Sequence, residues 1–243
     1  MIDKDKFKTY NEVFDNHTLR LLFELSSKGY FDDLISKIKV GKESNIFIAT
    51  KGNEKVIVKI YLLNTSNFNK MKEYLLEDKR YSNLSNRKRQ IVFTWASREF
   101  RNLNKMKTAN MNSPRPIYQK ENILIMQMIG ENQAAPPLKD YWPLNPDDFF
   151  LKLIEEIKIM YQEAKIIHAD LSGFNVLNFN EEPYIIDVSQ SLSIDSANAT
   201  DYLIRDVENI NLIYKKITKK EFDIRNVLNY IVGKTKELKF NKI

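Results

Sequence analysis

Hydrophobic and polar positions follow two different periods along the first half of the chain, and these periods predict helices and strands. Leucine and phenylalanine recur at helical intervals in "HTLRLLFELSSKGY", which predicts a helix that ends at Gly29. The segment "SNIFIATKGNEKVIVKIYL" is typical of two strands joined by a Gly-Asn turn. A helix with Val92, Trp95, Ala96 and Leu103 on one face is predicted by "QIVFTWASREFRNLNKMK", and "RPIYQKENILIMQMIG" predicts a second hairpin.

The second half begins with a proline-rich segment, "ENQAAPPLKDYWPLNP", which we interpret as a connector. Asn145 then caps a helix that has Pro146 at its first position. A loop, a short strand, a tight turn and another strand follow in "IIHADLSGFNVLNFNEEPYIID", and two further helical patterns complete the chain. The 243 residues fit one domain of two lobes as well as two separate domains.

Composition narrows the class of protein. The chain has no cysteine, which excludes disulfides and thiolate metal sites and makes a reducing cytoplasm the natural setting. No apolar run approaches the ~18 residues that a membrane span needs, so no membrane association is expected. The polar segment from Asn64 to Arg89 has many charges and few apolar positions, and we expect it to be mobile.

The whole chain has a net charge of +6, and its basic residues are concentrated in one segment. Positions 79 to 107 contain nine basic residues and a single acidic residue, Glu99. Such an imbalance suggests a polyanionic partner such as nucleic acid, although a solvated loop and helix face is the alternative. We assign the contact with RNA mainly to three neighbouring bases: Arg87, Lys88 and Arg89.

Three polar residues in the second half have the spacing that phosphoryl transfer requires. Asp170 follows a histidine by two positions, Asn175 comes five positions later, and Asp187 ends an apolar run. A carboxylate such as Asp170 can orient or deprotonate the acceptor, while oxygen ligands hold the magnesium ion that bridges nucleotide phosphates. The hairpin "VLNFNEEPYIID" turns the chain back, so we expect Asn175 and Asp187 to meet and hold the metal.

Two upstream segments supply the other parts of a phosphoryl-transfer site. Lys59 ends the apolar run in "VIVKIY", where an ammonium group can reach the α- and β-phosphates, and Glu99 lies on the following helix, where it can pair with Lys59. Before that strand, "VGKESNIF" is neither a Walker A loop nor a glycine-rich kinase loop. Its backbone can still bend over a triphosphate. The residues concerned are Gly41, Lys42 and Ser44.

Taken in this order, the segments resemble the RIO kinases, an atypical branch of the protein kinase fold, and within it the first RIO subfamily. The resemblance rests on "GKESN", "VIVKIY", "TWASREFRNL", "HADLSGFNVL" and above all "IIDVSQS". It implies an α+β, two-lobed fold with an antiparallel sheet plus helices in the N-lobe and a mainly helical C-lobe. We expect one kinase domain over residues 1–243, with an N-lobe to about 128, a hinge and connector at about 129–145 and a C-lobe beyond. The second subfamily has a winged helix before the kinase core, and we expect none here, since only about forty residues precede the phosphate loop in this sequence.

The same resemblance implies roles for further residues. The hinge "MQMIG" is expected to hold adenine through the backbone of Gln127, Met128 and Ile129, with Pro137 closing one side. Ser85 corresponds to an autophosphorylated serine, with Ser82 as second choice. The expected cofactors are ATP and Mg²⁺, with Mn²⁺ as an alternative metal.

RIO enzymes are associated with maturation of the small ribosomal subunit, so the resemblance implies a precursor of that subunit, both protein and rRNA, as the partner, and no DNA. Family members have also been considered as ATPases, in which case Asp187 is the residue that accepts the phosphoryl group. From the length of the sequence after Asp187, we expect neither the activation segment nor the peptide-docking helices of an ordinary kinase. Two alternatives stay open: a small-molecule phosphotransferase of the aminoglycoside or choline kinase type, and a nucleotide-sensing RNA-binding module without turnover.

Overall fold

The computed structural model of the chain describes residues 14–81, 84, 86–238 and 240–241. These residues divide into two compact units. The first unit comprises the described residues up to Glu73 together with Leu84–Phe100 and Arg115–Met128. The second unit comprises Tyr74–Asn83, Arg101–Pro114 and the remainder from Ile129 onward. The proposed lobe boundaries and the single kinase domain stay predictions.

The first unit is built on a five-stranded antiparallel sheet in the order β1-β2-β3-β5-β4. Its strands are β1 (Leu34–Val40), β2 (Ser44–Lys51), β3 (Glu54–Tyr61), β4 (Pro116–Lys120) and β5 (Ile123–Gln127). Both predicted hairpins are confirmed, and Gly52 occupies the β2–β3 turn with φ 58°. Strand β1 was not predicted, because it is an edge strand with mostly exposed side chains and therefore shows no buried alternation.

One face of this sheet packs against helix α1 (Asn16–Ser27), which begins at the cap Asp15. Its predicted end is confirmed, since Gly29 follows the cap residue with φ 75°. Successive side chains of a strand point to opposite faces. Val56, Val58 and Ile60 of β3 therefore join the α1 core, and the residues between them belong to the other face.

Two helices lie between β3 and β4: α2 (Phe68–Leu76) and α3 (Lys88–Thr108). The predicted apolar face of α3 is confirmed, because Val92, Trp95, Ala96 and Leu103 are all buried. The segment before α3 was expected to be mobile because it has few apolar positions, and this expectation stays a prediction. Helix α2 buries Met71 and Leu75 within that segment, at positions i and i+4 on one helix face.

The second unit is mainly helical and contains α4 (Pro146–Gln162), α5 (Ala199–Thr218) and α6 (Ile224–Ile231). Asn145 caps α4 as predicted, since its side chain accepts a hydrogen bond from Asp148 N. Three two-stranded ladders complete the unit: β6 (Ile166–Ile167) with β9 (Leu192–Ser193), β7 (Val176–Phe179) with β8 (Glu182–Ile185), and β10 (Glu221–Phe222) with β11 (Phe240–Asn241). Within the described ranges, no helix is both long enough and apolar enough to cross a membrane.

Candidate phosphoryl-transfer site

A buried ion pair lies in the first unit on the face of β3 opposite to the α1 core. Lys59 Nζ lies 2.9 Å from Glu99 Oε1 of α3, and the two side chains are only 3% and 1% exposed. The hydroxyl of Tyr61 donates a hydrogen bond to the second oxygen of Glu99. The pair predicted from the sequence is therefore present, and Glu99 fixes the position of the Lys59 ammonium group.

The predicted phosphate loop connects β1 to β2 in the same unit. Gly41 N donates to Ser44 O at 3.0 Å, which closes the turn. Thr65, just after β3, donates through its hydroxyl to Lys42 O at 2.8 Å and ties the loop down. A side chain at Gly41 would bring its Cβ to 3.0 Å from Ser44 O, so the close approach favours glycine there. Lys42 is exposed and provides a positive charge at this loop.

The catalytic loop, which we define as residues 168–175, connects β6 to β7 in the second unit. Asn175 Nδ2 donates to Asp170 O at 2.8 Å and lies 3.5 Å from Asp170 Oδ2. The β7–β8 hairpin returns the chain to this point, where Ile186 N donates to Asn175 O at 3.0 Å. Asp187 follows immediately. The structure therefore brings the segments of all three predicted residues together within one unit.

Side chains of helix α5 form hydrogen bonds with the backbone of the catalytic loop. The carboxylate of Asp206 accepts hydrogen bonds from Ala169 N at 2.8 Å and from Leu171 N at 2.9 Å. Arg205 donates to Ala169 O, and Asn209 donates to Leu171 O at 3.1 Å. Burial raises the pKa of Asp206, and the two backbone N–H groups oppose that rise. Sequence reasoning missed these residues, and their only signal was a group of polar side chains on one turn of an otherwise amphipathic helix.

His168 is a buried residue of the loop whose ring contacts the backbone on both sides. It is 2% exposed, its Nε2 lies 2.9 Å from Ile186 O, and its Nδ1 accepts a hydrogen bond from Asp170 N at 3.3 Å. Both ring nitrogens thus contact the backbone of segments that carry the candidate residues. His168 is therefore a structural support for the loop.

Two residues at the site have the left-handed backbone conformation that non-glycine residues rarely adopt. Ala169 has φ 66° and Asp187 has φ 60°. Such a conformation costs about 1–3 kcal/mol and persists where surrounding contacts enforce it. For Ala169, the contacts from α5 provide that enforcement.

The donors at this site suit a hard cation such as Mg²⁺. They are the carboxylate of Asp187 and the amide oxygen of Asn175, whose amide nitrogen is turned toward Asp170. Oxygen ligands in small number are typical of a Mg²⁺ ion that also binds nucleotide phosphates. Among the described residues, no group of three or more histidine, cysteine, aspartate or glutamate residues is placed to hold a metal ion. Ser189 and Gln190 orient the carboxylates, at 3.0 Å from Asp187 Oδ1 and 3.2 Å from Asp170 Oδ2.

The predicted hinge residues lie at the end of β5 and just beyond it. Gln127 N donates to Arg115 O at 2.9 Å, and Ile129 O accepts from Ala135 N at 2.8 Å. The expected role of Gln127, Met128 and Ile129 in binding adenine stays a prediction. Pro137 of the connector forms a bridge to Leu177 of β7 within the second unit.

The remaining predicted residues lie on or near the start of α3. Arg87, Lys88 and Arg89 are exposed, whereas Arg98 of the same basic segment is fully buried, so the nine bases do not form one solvated face. The candidate phosphorylation sites, Ser85 and Ser82, lie outside the described residues.

The first unit has a five-stranded antiparallel sheet with a buried lysine–glutamate pair. The second unit is mainly helical and contains Asp170, Asn175 and Asp187. These features together are those of a protein kinase-like fold. Residues 45–227 match the family model described as the RIO domain. The chain belongs to the RIO family of atypical serine/threonine kinases.

Curated relatives agree with this assignment. The RIO-type serine/threonine-protein kinase Rio1 of Methanocaldococcus jannaschii is 35% identical over 95% of this chain and 79% of its own length. Human serine/threonine-protein kinase RIO1 is 31% identical over 94% of this chain, which spans only 41% of the human protein. Among solved structures, the Rio2 kinase–ADP/Mg²⁺–phosphoaspartate complex from Chaetomium thermophilum matches with a TM-score of 0.63 at 23% identity, over 82% of this chain and 60% of that one. That likeness supports the kinase-like fold.

Proposed function

We propose that the protein transfers the γ-phosphoryl group of Mg²⁺-ATP to serine or threonine hydroxyl groups. The observation that carries this proposal is the joint position of the Asp170, Asn175 and Asp187 segments in a loop supported by α5. Asp170 orients the acceptor hydroxyl and takes its proton, the γ-phosphorus–oxygen bond to ADP breaks, and a phosphoester forms. Asn175 and Asp187 hold the metal, for which Mn²⁺ can substitute.

Residues of the first unit bind the nucleotide in this proposal. Lys59 contacts the α- and β-phosphates, and Glu99 keeps its ammonium group in position. Gly41, Lys42 and Ser44 cover the phosphates with backbone N–H groups and one positive charge. The backbone of Gln127 and Met128 binds adenine, as the sequence predicts for the hinge.

ATP hydrolysis is the second candidate activity. The Rio2 complex with ADP, Mg²⁺ and phosphoaspartate motivates it, since that related protein formed an aspartyl phosphate. In this chain, Asp187 would attack the γ-phosphorus, ADP would leave, and water would later release inorganic phosphate. Both activities use the same residues, so they differ only in the final acceptor.

We further propose a precursor of the small ribosomal subunit as the partner, with the cytoplasm as the place of action. Arg87, Lys88 and Arg89 support an anionic partner. They lie at the N-terminal end of α3, whose first turn has no acidic residue. Positive charges at a helix N-terminus oppose the helix dipole by about 0.3–1 kcal/mol each. The helix dipole therefore does not explain three bases at this position, although Lys88 Nζ also lies 4.9 Å from the centroid of the Phe68 ring. Their exposure supports a role in contact with rRNA phosphates.

Incubation of the purified protein with Mg²⁺-ATP and no small acceptor tests the proposed activity. We expect release of ADP together with either phosphorylated protein or inorganic phosphate. A small-molecule phosphotransferase would need its acceptor, and a nucleotide-sensing module would bind ATP without releasing ADP. The absence of ADP release above that of the Asp170→Ala variant would refute the proposal.

A further inference from the structure

A chain of contacts within the second unit connects the end of α2 to the catalytic loop. Tyr202 of α5 donates its hydroxyl to Glu77 Oε1 at 3.2 Å, across 125 positions of sequence. The guanidinium group of Arg205 lies over the Tyr202 ring, 4.7 Å from its centroid. Arg205 in turn donates to Ala169 O. A carboxylate, an aromatic ring and a guanidinium group thus form a continuous path to the residue before Asp170.

The end of this path is the peptide group that joins Ala169 to Asp170. Its oxygen accepts the hydrogen bond from Arg205, and its N–H donates to His168 Nδ1 at 3.3 Å. Ala169 is fully buried and has φ 66°, a conformation that alanine does not hold without support. The orientation of this peptide group determines where the Asp170 side chain points. A loss of the Arg205 contact removes one of the two bonds that fix that orientation.

Tyr202 keeps Arg205 in place. A cation over an aromatic ring is attracted to the ring face, and this attraction limits the rotamers that the long arginine side chain can adopt. Burial and the nearby Glu77 carboxylate raise the pKa of Tyr202 to about 12, so its hydroxyl stays protonated and donates to Glu77. Glu77 directly follows α2, and the ring of Tyr74 in that helix lies 6.3 Å from the Tyr202 ring.

We propose that Tyr202 and Arg205 are positioning residues for phosphoryl transfer, and that the α2 end around Glu77 sets the orientation of Asp170 through them. The proposal rests on the proposed function, because it assigns Asp170 the acceptor-orienting role. It also connects the segment that leads to Ser82 and Ser85 to the catalytic loop.

Steady-state ADP release from Mg²⁺-ATP by the full chain tests the proposal. Because Asp170 acts in the transition state, we expect Arg205→Ala to lower kcat about tenfold with the KM for ATP unchanged within about twofold. Tyr202→Leu removes both the ring and the hydroxyl and should lower kcat similarly. Tyr202→Phe keeps the ring under Arg205 and should lower kcat only about threefold.

Hydrogen exchange provides a readout that does not depend on activity. The amides of Ala169 and Leu171 donate to Asp206, so a loosened loop should exchange them faster in Arg205→Ala and Tyr202→Leu. This measurement applies to every folded variant. It also separates the two proposals: if wild type and Asp170→Ala release ADP equally, the proposed function fails, while exchange still tests the contact chain.

Tyr230 provides a matched control in the same unit. Its hydroxyl donates to Glu155, and Lys158 Nζ lies 3.9 Å from its ring centroid, so it has the same combination of acid, ring and cation away from the catalytic loop. Tyr230→Leu should leave kcat and the exchange of the loop amides unchanged. The proposal is overturned if Arg205→Ala and Tyr202→Leu keep wild-type kcat and exchange, or if they change no more than this control.

Discussion

Replacement of either partner of the Lys59–Glu99 ion pair should strongly destabilise the first unit. Both side chains are almost fully buried, and their charged atoms lie 2.9 Å apart. Glu99→Leu leaves an ammonium group buried without its carboxylate, and Lys59→Met leaves the Glu99 carboxylate with the Tyr61 hydroxyl in place of the ammonium. Each change should cost about 3–5 kcal/mol of unfolding free energy, the range observed when one partner of a buried pair is removed.

The double variant Lys59→Met/Glu99→Leu should recover most of that loss. Replacement of a buried ion pair by apolar side chains of similar volume is often neutral, because two desolvation penalties disappear together with the attraction. We expect the double variant to lie within about 2 kcal/mol of wild type, a margin that allows for the acceptor that the Tyr61 hydroxyl loses with Glu99.

Urea unfolding followed by tryptophan fluorescence measures these effects. The chain has two tryptophans, and a Trp142→Phe background leaves Trp95, which is buried on α3 within the first unit, as the reporter. The unfolding free energy follows from the midpoint and slope of each transition. Single-variant losses below about 1 kcal/mol would indicate a solvated pair, and a double-variant loss equal to the sum would indicate no coupling; either result refutes the reasoning.

Three further predictions concern other parts of the chain. Burial raises the pKa of Glu156 to about 7, so the folded state binds this proton more tightly than the unfolded chain, and stability should fall as pH rises from about 4.5 to about 7. Glu156→Gln, whose amide oxygen can still accept from Asn112 N, should remove about 2–3 kcal/mol of the fall in unfolding free energy between pH 5 and 8, as measured by urea unfolding, and an equal fall in wild type and variant would contradict this assignment. Mass spectrometry after incubation with ATP should find phosphate on Ser85, and phosphate only outside residues 64–90 would contradict the assignment. A variant with alanine at positions 87–89 should bind small ribosomal subunits with a weaker salt dependence. The slope of log affinity against log salt should fall by about one per lost phosphate contact, and an unchanged slope would show that these bases only contact solvent.

Much of the fold could be predicted from the sequence because its elements are strongly patterned. The hairpin β2–β3 has alternating apolar positions and a Gly-Asn turn, and α4 begins with an Asn-Pro signal, so local chemistry determines both. The contact between Lys59 and Glu99 could be predicted because the strand and helix on which they lie were both recognised. Strand β1 was missed since an exposed edge strand lacks the burial that produces a pattern.

The contacts that support the catalytic loop could not be predicted. Asp206 and Tyr202 lie on a helix whose sequence shows only ordinary amphipathic spacing, and their partners lie 35–37 and 125 positions away. Such contacts depend on how α5 packs against the loop, which no local pattern encodes. The buried anchors Met71 and Leu75 were missed for a related reason, because two apolar residues among many charges give a weak helical signal.

The most direct test of the phosphoryl-transfer site compares Asp170→Ala with Asp187→Ala in two assays on the same preparations. Titration calorimetry measures ATP binding with and without Mg²⁺, and ADP release measures turnover. We predict that Asp170→Ala binds Mg²⁺-ATP within about threefold of wild type but turns over at least about a hundredfold more slowly, because it lacks only the acceptor-orienting carboxylate. Asp187→Ala should lose turnover and the Mg²⁺-dependent part of binding together. Near-normal turnover in Asp170→Ala would contradict the account.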